Sequence, residues 1–372
     1  MANEQFLKGF AISNLAGSGF GNLMRLFLLH KVEPKYYWRA FLNSLLSLIL
    51  SILALGDKLV YFLVRNKLKK IPPPLFIIGH WRSGTTHLHN LFCLDERAGY
   101  STTFQTVFPH LLFGFHRPLL WLMNMVMPEK RPVDNVLLNA RNPQEEEFGL
   151  ANITEMSYYH WWYFPADWDS ITEKYLTLEN LPEKQKERWK KIYRHYIKRA
   201  LIREGKAWFV SKNPPNTARI KLLLELFPDA RFVYIQRNPY EVYVSTQRFF
   251  SAILQPLQLQ SISEKDLNAH ILDVYCKMYD AYQAQKVLIP KNRLVEISYE
   301  QFIQNEASYL RFIYNQLEIK LPEALPEKWE LATGNKKHRV SGYAFPSETI
   351  AEVNSALGSR VAEMGYERLN AD

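Results

Sequence analysis

The apolar positions change texture along the chain. Residues 40–56 (AFLNSLLSLILSILALG) run without a charge, at the short edge of what crosses a bilayer. Ser44, Ser47 and Ser51 recur at helical spacing, and Lys58 extends the same face. That polar stripe predicts a helix lying in a membrane interface or packed on protein, rather than one surrounded by lipid. Arg65, Lys67, Lys69 and Lys70 follow and would hold the next segment on the cytoplasmic side. The apolar segment begins too deep in the chain for a cleavable signal peptide.

After Pro72-Pro73-Pro74 the pattern becomes short apolar runs at 75–78, 207–211, 230–236 and 293–298, each reading as a buried parallel strand. Helical periodicity occupies 85–94, 183–204, 217–227, 239–250 and 265–288. This alternation predicts an α/β fold with a central parallel sheet flanked by helices, plus an N-terminal apolar helical segment. The boundaries are 1–71 for that segment and 72–372 for a catalytic domain. A second apolar stretch, 111–127, reads as a helical cap or a substrate lid.

Composition narrows the classes. The chain has 372 residues, 47% hydrophobic and 14% aromatic, which excludes intrinsic disorder. Cys93 and Cys276 are too few for a disulfide framework or a cysteine zinc site. The 46 Lys and Arg exceed the 37 Asp and Glu, giving +9 and pointing to an anionic partner: phosphates, a membrane surface or nucleic acid.

The chemistry concentrates in Gly79-His80-Trp81-Arg82-Ser83-Gly84-Thr85-Thr86, which follows a strand and opens a helix. Two glycines five apart let backbone N–H groups converge on an anion, and the helix adds its positive end. Thr85 and Thr86 bring hydroxyls and Arg82 a fixed charge. The spacing is that of a Walker A loop, giving a three-layer P-loop-type fold, but Thr85 stands where a triphosphatase has its Lys. A nucleotide kinase or triphosphatase is therefore the weaker reading. A second signal is RFVYIQRNPYEVYVS at 231–245. Arg237 ends a strand, Asn238 and Glu241 form an N-x-x-E box, and Ser245 lies two turns into the helix.

Together these segments resemble the sulfotransferase superfamily that uses 3′-phosphoadenosine 5′-phosphosulfate (PAPS). Lys212-Asn213-Pro214, Ser298-Tyr299-Glu300, the run 143–148 (PQEEEF) and the basic cluster 336–339 look like its bacterial branch. The resemblance covers roughly residues 72–372. It implies that Gly79–Thr86 grip the 5′-phosphosulfate, that Arg237 and Ser245 grip the 3′-phosphate, and that Lys336, Lys337 and Arg339 add to that site. Arg82 and Lys212 would stabilise the leaving group and the sulfuryl oxygens, with no metal required. The cytosolic members place a histidine two residues after the equivalent of Lys212; Pro214 stands there, so the base must come from elsewhere. Glu145 and Glu146 are the candidates, each with a pKa raised if buried beneath an apolar lid, and His160 is the reserve. The expected partners are PAPS, an acceptor hydroxyl on a lipid, sterol or other apolar alcohol, and the cytoplasmic face of a membrane. Nucleic acid is not expected, and a soluble glycan or small metabolite is the alternative acceptor.

Overall fold

The computed structural model describes residues 13–127, 139–334 and 345–370. It divides into two units, one of residues 72–99, 206–248 and 265–372, the other of residues 1–71, 100–205 and 249–264.

The first unit carries the sheet. Its strands are β1 (Leu75–Ile78), β2 (Ala98–Gly99), β3 (Trp208–Lys212), β4 (Arg231–Gln236) and β5 (Leu294–Ser298), ordered β2-β3-β1-β4-β5. Every pairing is parallel, with Ile77 opposite Lys212 and Ile78 opposite Tyr234. All four residues of β1 are buried, which is why the central strand reads as an unbroken apolar run. Leu75, Ile77, Val210, Val233 and Ile297 pack with Leu88 and Phe92 of the helix Thr85–Phe92, and with Ile313, Tyr314 and Trp329 from later helices. Four strands fall within a residue of their expected bounds. The fifth, β2, is only two residues long and left no periodic trace.

The strand order contains one reversal. The connection leaving β1 runs to β2 on one side, and the connection leaving β4 runs to β5 on the other. The carboxyl ends of adjacent β1 and β4 therefore form a switch point, the place where open α/β sheets receive ligands.

The second unit is helical and is built around aromatic residues. Tyr158 to Phe164 are all buried, with Trp162 stacked on Tyr159 at 4.7 Å and Trp161 edge-on to Phe250 at 4.7 Å. The apolar helix Tyr37–Val64 buries Ala40, Asn43, Ser47, Ala54 and Asp57. This face is rotated from the expected serine stripe: Ser47 belongs to it, whereas Lys58 is exposed. Asp57 is held by Arg199 at 2.9 Å and by the N–H groups of Phe113 and Gly114. The stretch 111–127 contributes the helix His116–Val126.

Candidate active site

The loop after β1 is bent by three left-handed residues, Gly79 (φ 145°), Arg82 (φ 66°) and Gly84 (φ 96°). Neither glycine has room for a side chain. A Cβ at Gly79 would lie 2.3 Å from the Ile235 carbonyl oxygen, and one at Gly84 would lie 2.3 Å from the Tyr299 ring. Arg82 takes a backbone conformation costly for a side-chain-bearing residue, and its surroundings hold it there. Its Nε donates to Ser245 Oγ at 3.0 Å, and its carbonyl accepts from Arg237 Nη1 at 3.4 Å.

Several loop groups close the loop on itself. The Gly79 N–H donates to Thr217 Oγ1 at 2.8 Å, the Ser83 N–H to the His80 carbonyl at 3.3 Å, and the Ser83 hydroxyl to the same carbonyl at 2.6 Å. The His80 ring stacks on Tyr275 at 4.3 Å, and Trp81 is buried. These residues set the loop's shape. The charge comes from Arg82, the dipole of the helix Thr85–Phe92, and two neighbouring cations.

Lys212 ends β3 and is buried at 4% exposure, opposite Ile77 in register. Arg237 follows β4, with its guanidinium 4.5 Å from the centre of the Tyr299 ring. Its Nε donates to Glu241 at 2.9 Å, and its Nη2 donates to the same oxygen. The expected box is thus only half formed. Asn238 Oδ1 accepts from the Tyr240 N–H at 3.0 Å, but Glu300, not Glu241, accepts from the Asn238 N–H, at 2.9 Å. Ser245 faces Arg82 rather than Arg237. A cavity of about 590 Å³ lies beyond the ends of β4 and β5, lined by Gln236, Ser298, Glu300 and Tyr366 among others, and takes no wall from the loop 79–86.

The structure therefore joins the loop, Lys212, Arg237 and Ser245 at one switch point. It also places Thr217 against Gly79, and Glu241 and Tyr299 against Arg237. Ser298-Tyr299-Glu300 was visible as a motif, whereas Thr217 had no signal. Lys336, Lys337 and Arg339 lie outside the described residues. Among the described residues no group of three or more His, Cys, Asp or Glu could hold a metal ion.

Glu145 and Glu146 belong to the helical unit. Glu145 precedes the helix Glu146–Ile153, is 8% exposed, and accepts a hydrogen bond from the Tyr159 hydroxyl. Glu146 is 0% exposed and accepts from the Tyr193 hydroxyl at 2.7 Å. Glu147 accepts from the Ser157 hydroxyl and the Tyr158 N–H, both at 2.9 Å, which ties it to the fold. His160 is buried beside the Thr154 carbonyl at 2.9 Å, in the manner of a core histidine.

Burial holds several imidazoles neutral, among them His80 and His160 at about 4 and His89 at about 3, against an ordinary 6.5. Below pH 6.5 the unfolded chain takes up protons that these folded imidazoles refuse until about pH 4 or lower. Their contribution is complete above pH 6.5 and is lost as pH falls toward 4. Urea unfolding at pH 5 should show a lower midpoint than at pH 7.5, by on the order of 2 kcal/mol per imidazole. Equal midpoints would contradict the burial of these rings as neutral groups.

A parallel α/β sheet with a cationic loop at its switch point defines a protein suited to a phosphate-bearing ligand. A family model described as the sulfotransferase family matches residues 73–323. The chain belongs to that family and is a PAPS-dependent sulfotransferase, which sets the kinase reading aside. It is 30% identical over 357 residues to the omega-hydroxy-beta-dihydromenaquinone-9 sulfotransferases Stf3 of Mycobacterium bovis and Mycobacterium tuberculosis, covering 95% of this chain and 91% of each relative. Its fold is similar to that of sulfotransferase STF9 from Mycobacterium avium (TM-score 0.71, 15% identity, 91% of this chain and 88% of that one). The same holds for STF1 from Mycobacterium tuberculosis (TM-score 0.63, 15% identity, 90% of each chain).

Proposed function

We propose that the enzyme sulfates the hydroxyl of an apolar, lipid-like alcohol at the cytoplasmic face of a membrane. Residues 72–372 would act as the catalytic domain and 1–71 as the membrane-associated segment. The observation carrying this reading is the near-full-length similarity to proteins named for omega-hydroxy-beta-dihydromenaquinone-9. The exposed apolar helix Tyr37–Val64 agrees with it. Incubation with labelled PAPS and a mixture of apolar alcohols, soluble phenols and sugars should place the added sulfuryl group on the apolar alcohols by mass spectrometry. Label confined to soluble acceptors would overturn the reading.

In this assignment Gly79–Thr86 is a P-loop-type cradle for the 5′-phosphosulfate. Arg237, with Ser245 and the cluster Lys336, Lys337 and Arg339, receives the 3′-phosphate. The acceptor oxygen attacks sulfur as the sulfur–oxygen bond to the 5′-phosphate breaks, with charge spread over the equatorial oxygens as in phosphoryl transfer. Arg82 and Lys212 stabilise those oxygens and the departing phosphate. The acceptor proton passes to a carboxylate. We assign Glu145, because it retains some exposure where Glu146 has none, and a base must reach its proton. Glu145→Gln should lower kcat by about 10²–10⁴-fold and leave binding of 3′,5′-adenosine diphosphate unchanged by calorimetry. Glu146→Gln should act through stability, seen as a lower urea midpoint. Unchanged turnover in both variants would sink the glutamate assignment.

A further inference from the structure

The apolar helix Tyr37–Val64 has 28 residues, about 42 Å of helix, enough to cross a hydrocarbon core of roughly 30 Å. Its side chains argue for another orientation. The buried positions Ala40, Asn43, Ser47, Ala54 and Asp57 form one face along the helix, attached by polar contacts within the helical unit. Ser47 Oγ donates to the Ser18 carbonyl at 2.6 Å, Ser51 Oγ accepts from the Phe20 N–H at 2.8 Å, and Asp57 is paired with Arg199. A crossing helix would have to release these groups into hydrocarbon, where unsatisfied polar groups and charges are costly. The opposite face presents Trp38, Phe41, Ile52, Leu55, Leu59 and Leu63, all exposed.

Charge selects what covers that face. Residues 31–70 contain eight Lys and Arg against two acids, Glu33 and Asp57. Asp57 is fully buried in its ion pair, and Glu33 accepts from the Ser261 N–H and hydroxyl, both at 2.7 Å. Exposed positive charge flanks both ends, with Lys31 and Lys35 before the helix and Arg65, Lys67, Lys69 and Lys70 after it. A second copy docked by two-fold symmetry in antiparallel fashion would set basic end against basic end. An anionic bilayer surface accepts both the apolar face and its basic flanks.

We propose that this helix lies in the plane of the membrane as a monotopic anchor selective for anionic lipid. The proposal rests on the reading of the enzyme as membrane-associated, and specifies its lipid partner and orientation. The full-length protein is sedimented with vesicles of phosphatidylcholine alone and of phosphatidylcholine mixed with phosphatidylglycerol. The expected result is about tenfold tighter binding to the anionic vesicles, weakened by salt. The double variant Leu59→Glu, Leu63→Glu should lose about tenfold in partitioning, while its thermal stabilisation by 3′,5′-adenosine diphosphate persists. Labelling of only one of Lys35→Cys and Lys67→Cys by an impermeant maleimide outside sealed vesicles would overturn the in-plane orientation and leave membrane association standing, since an in-plane helix exposes both ends on one side. Equal binding to both vesicles would overturn the lipid selectivity. Absence of binding to either would overturn both the anchor and the membrane reading, and a dimer by ultracentrifugation in that case would give the face to a second copy.

Discussion

Lys212→Met should lower kcat by about 10²–10³-fold, the cost typical of removing one preorganised donor from a developing oxyanion. Lys212 is held at the end of β3 with 4% exposure, one strand from the cradle and opposite Ile77. Its charge is felt by neighbours: it helps push the His89 pKa down, after burial, and partly offsets the burial that raises the Cys93 thiol. A cation fixed in this way reorganises little when charge develops on the sulfuryl oxygens. Methionine keeps the apolar stem and removes the ammonium, so the fold and the grip on the product nucleotide should persist. Binding of 3′,5′-adenosine diphosphate should change less than threefold, under about 0.7 kcal/mol. Equal loss of product binding and kcat would make Lys212 a binding residue, and an unchanged kcat would remove it from the mechanism.

Arg237→Ala should weaken 3′,5′-adenosine diphosphate by about 100-fold, as expected for charge-assisted hydrogen bonds worth roughly 3 kcal/mol. Adenosine 5′-diphosphate, which lacks the 3′-phosphate, should bind the variant and the parent equally. The guanidinium is already oriented by Glu241, the Arg82 carbonyl and the Tyr299 ring. Glu241 accepts from Nε and Nη2 of Arg237, the donors that the 3′-phosphate is proposed to take. Glu241→Gln should therefore strengthen binding of the 3′-phosphate, and a weaker grip in that variant would show that orientation of Arg237 matters more than competition for it. Equal loss of both nucleotides on Arg237→Ala would contradict its assignment to the 3′-phosphate.

Backbone features of the site were legible because each has a one-dimensional signature. Buried parallel strands read as apolar runs, and the glycine spacing of the cradle follows from backbone room that the structure shows is absent at both positions. Side-chain pairings were less legible. Ser245 sits eight residues after Arg237 yet bonds Arg82, and Glu241 pairs with Arg237 while Glu300 takes the Asn238 N–H. The Arg82–Ser245 and Asn238–Glu300 contacts join residues 163 and 62 positions apart, beyond any local pattern. The apolar helix shows the same division. Its existence was plain from the uncharged run 40–56, whereas its full extent, Tyr37–Val64, goes past that run at both ends, and its buried face was set by partners such as Ser18 and Arg199.

The most direct measurement is a crystal structure of the enzyme with 3′,5′-adenosine diphosphate. The expected complex has the 5′-phosphate within hydrogen-bond distance of the 79–86 loop and Arg82, and the 3′-phosphate on Arg237 in place of Glu241. A nucleotide seated with its phosphates exchanged, or in the cavity beside Gln236 with the cradle untouched, would contradict the assignment.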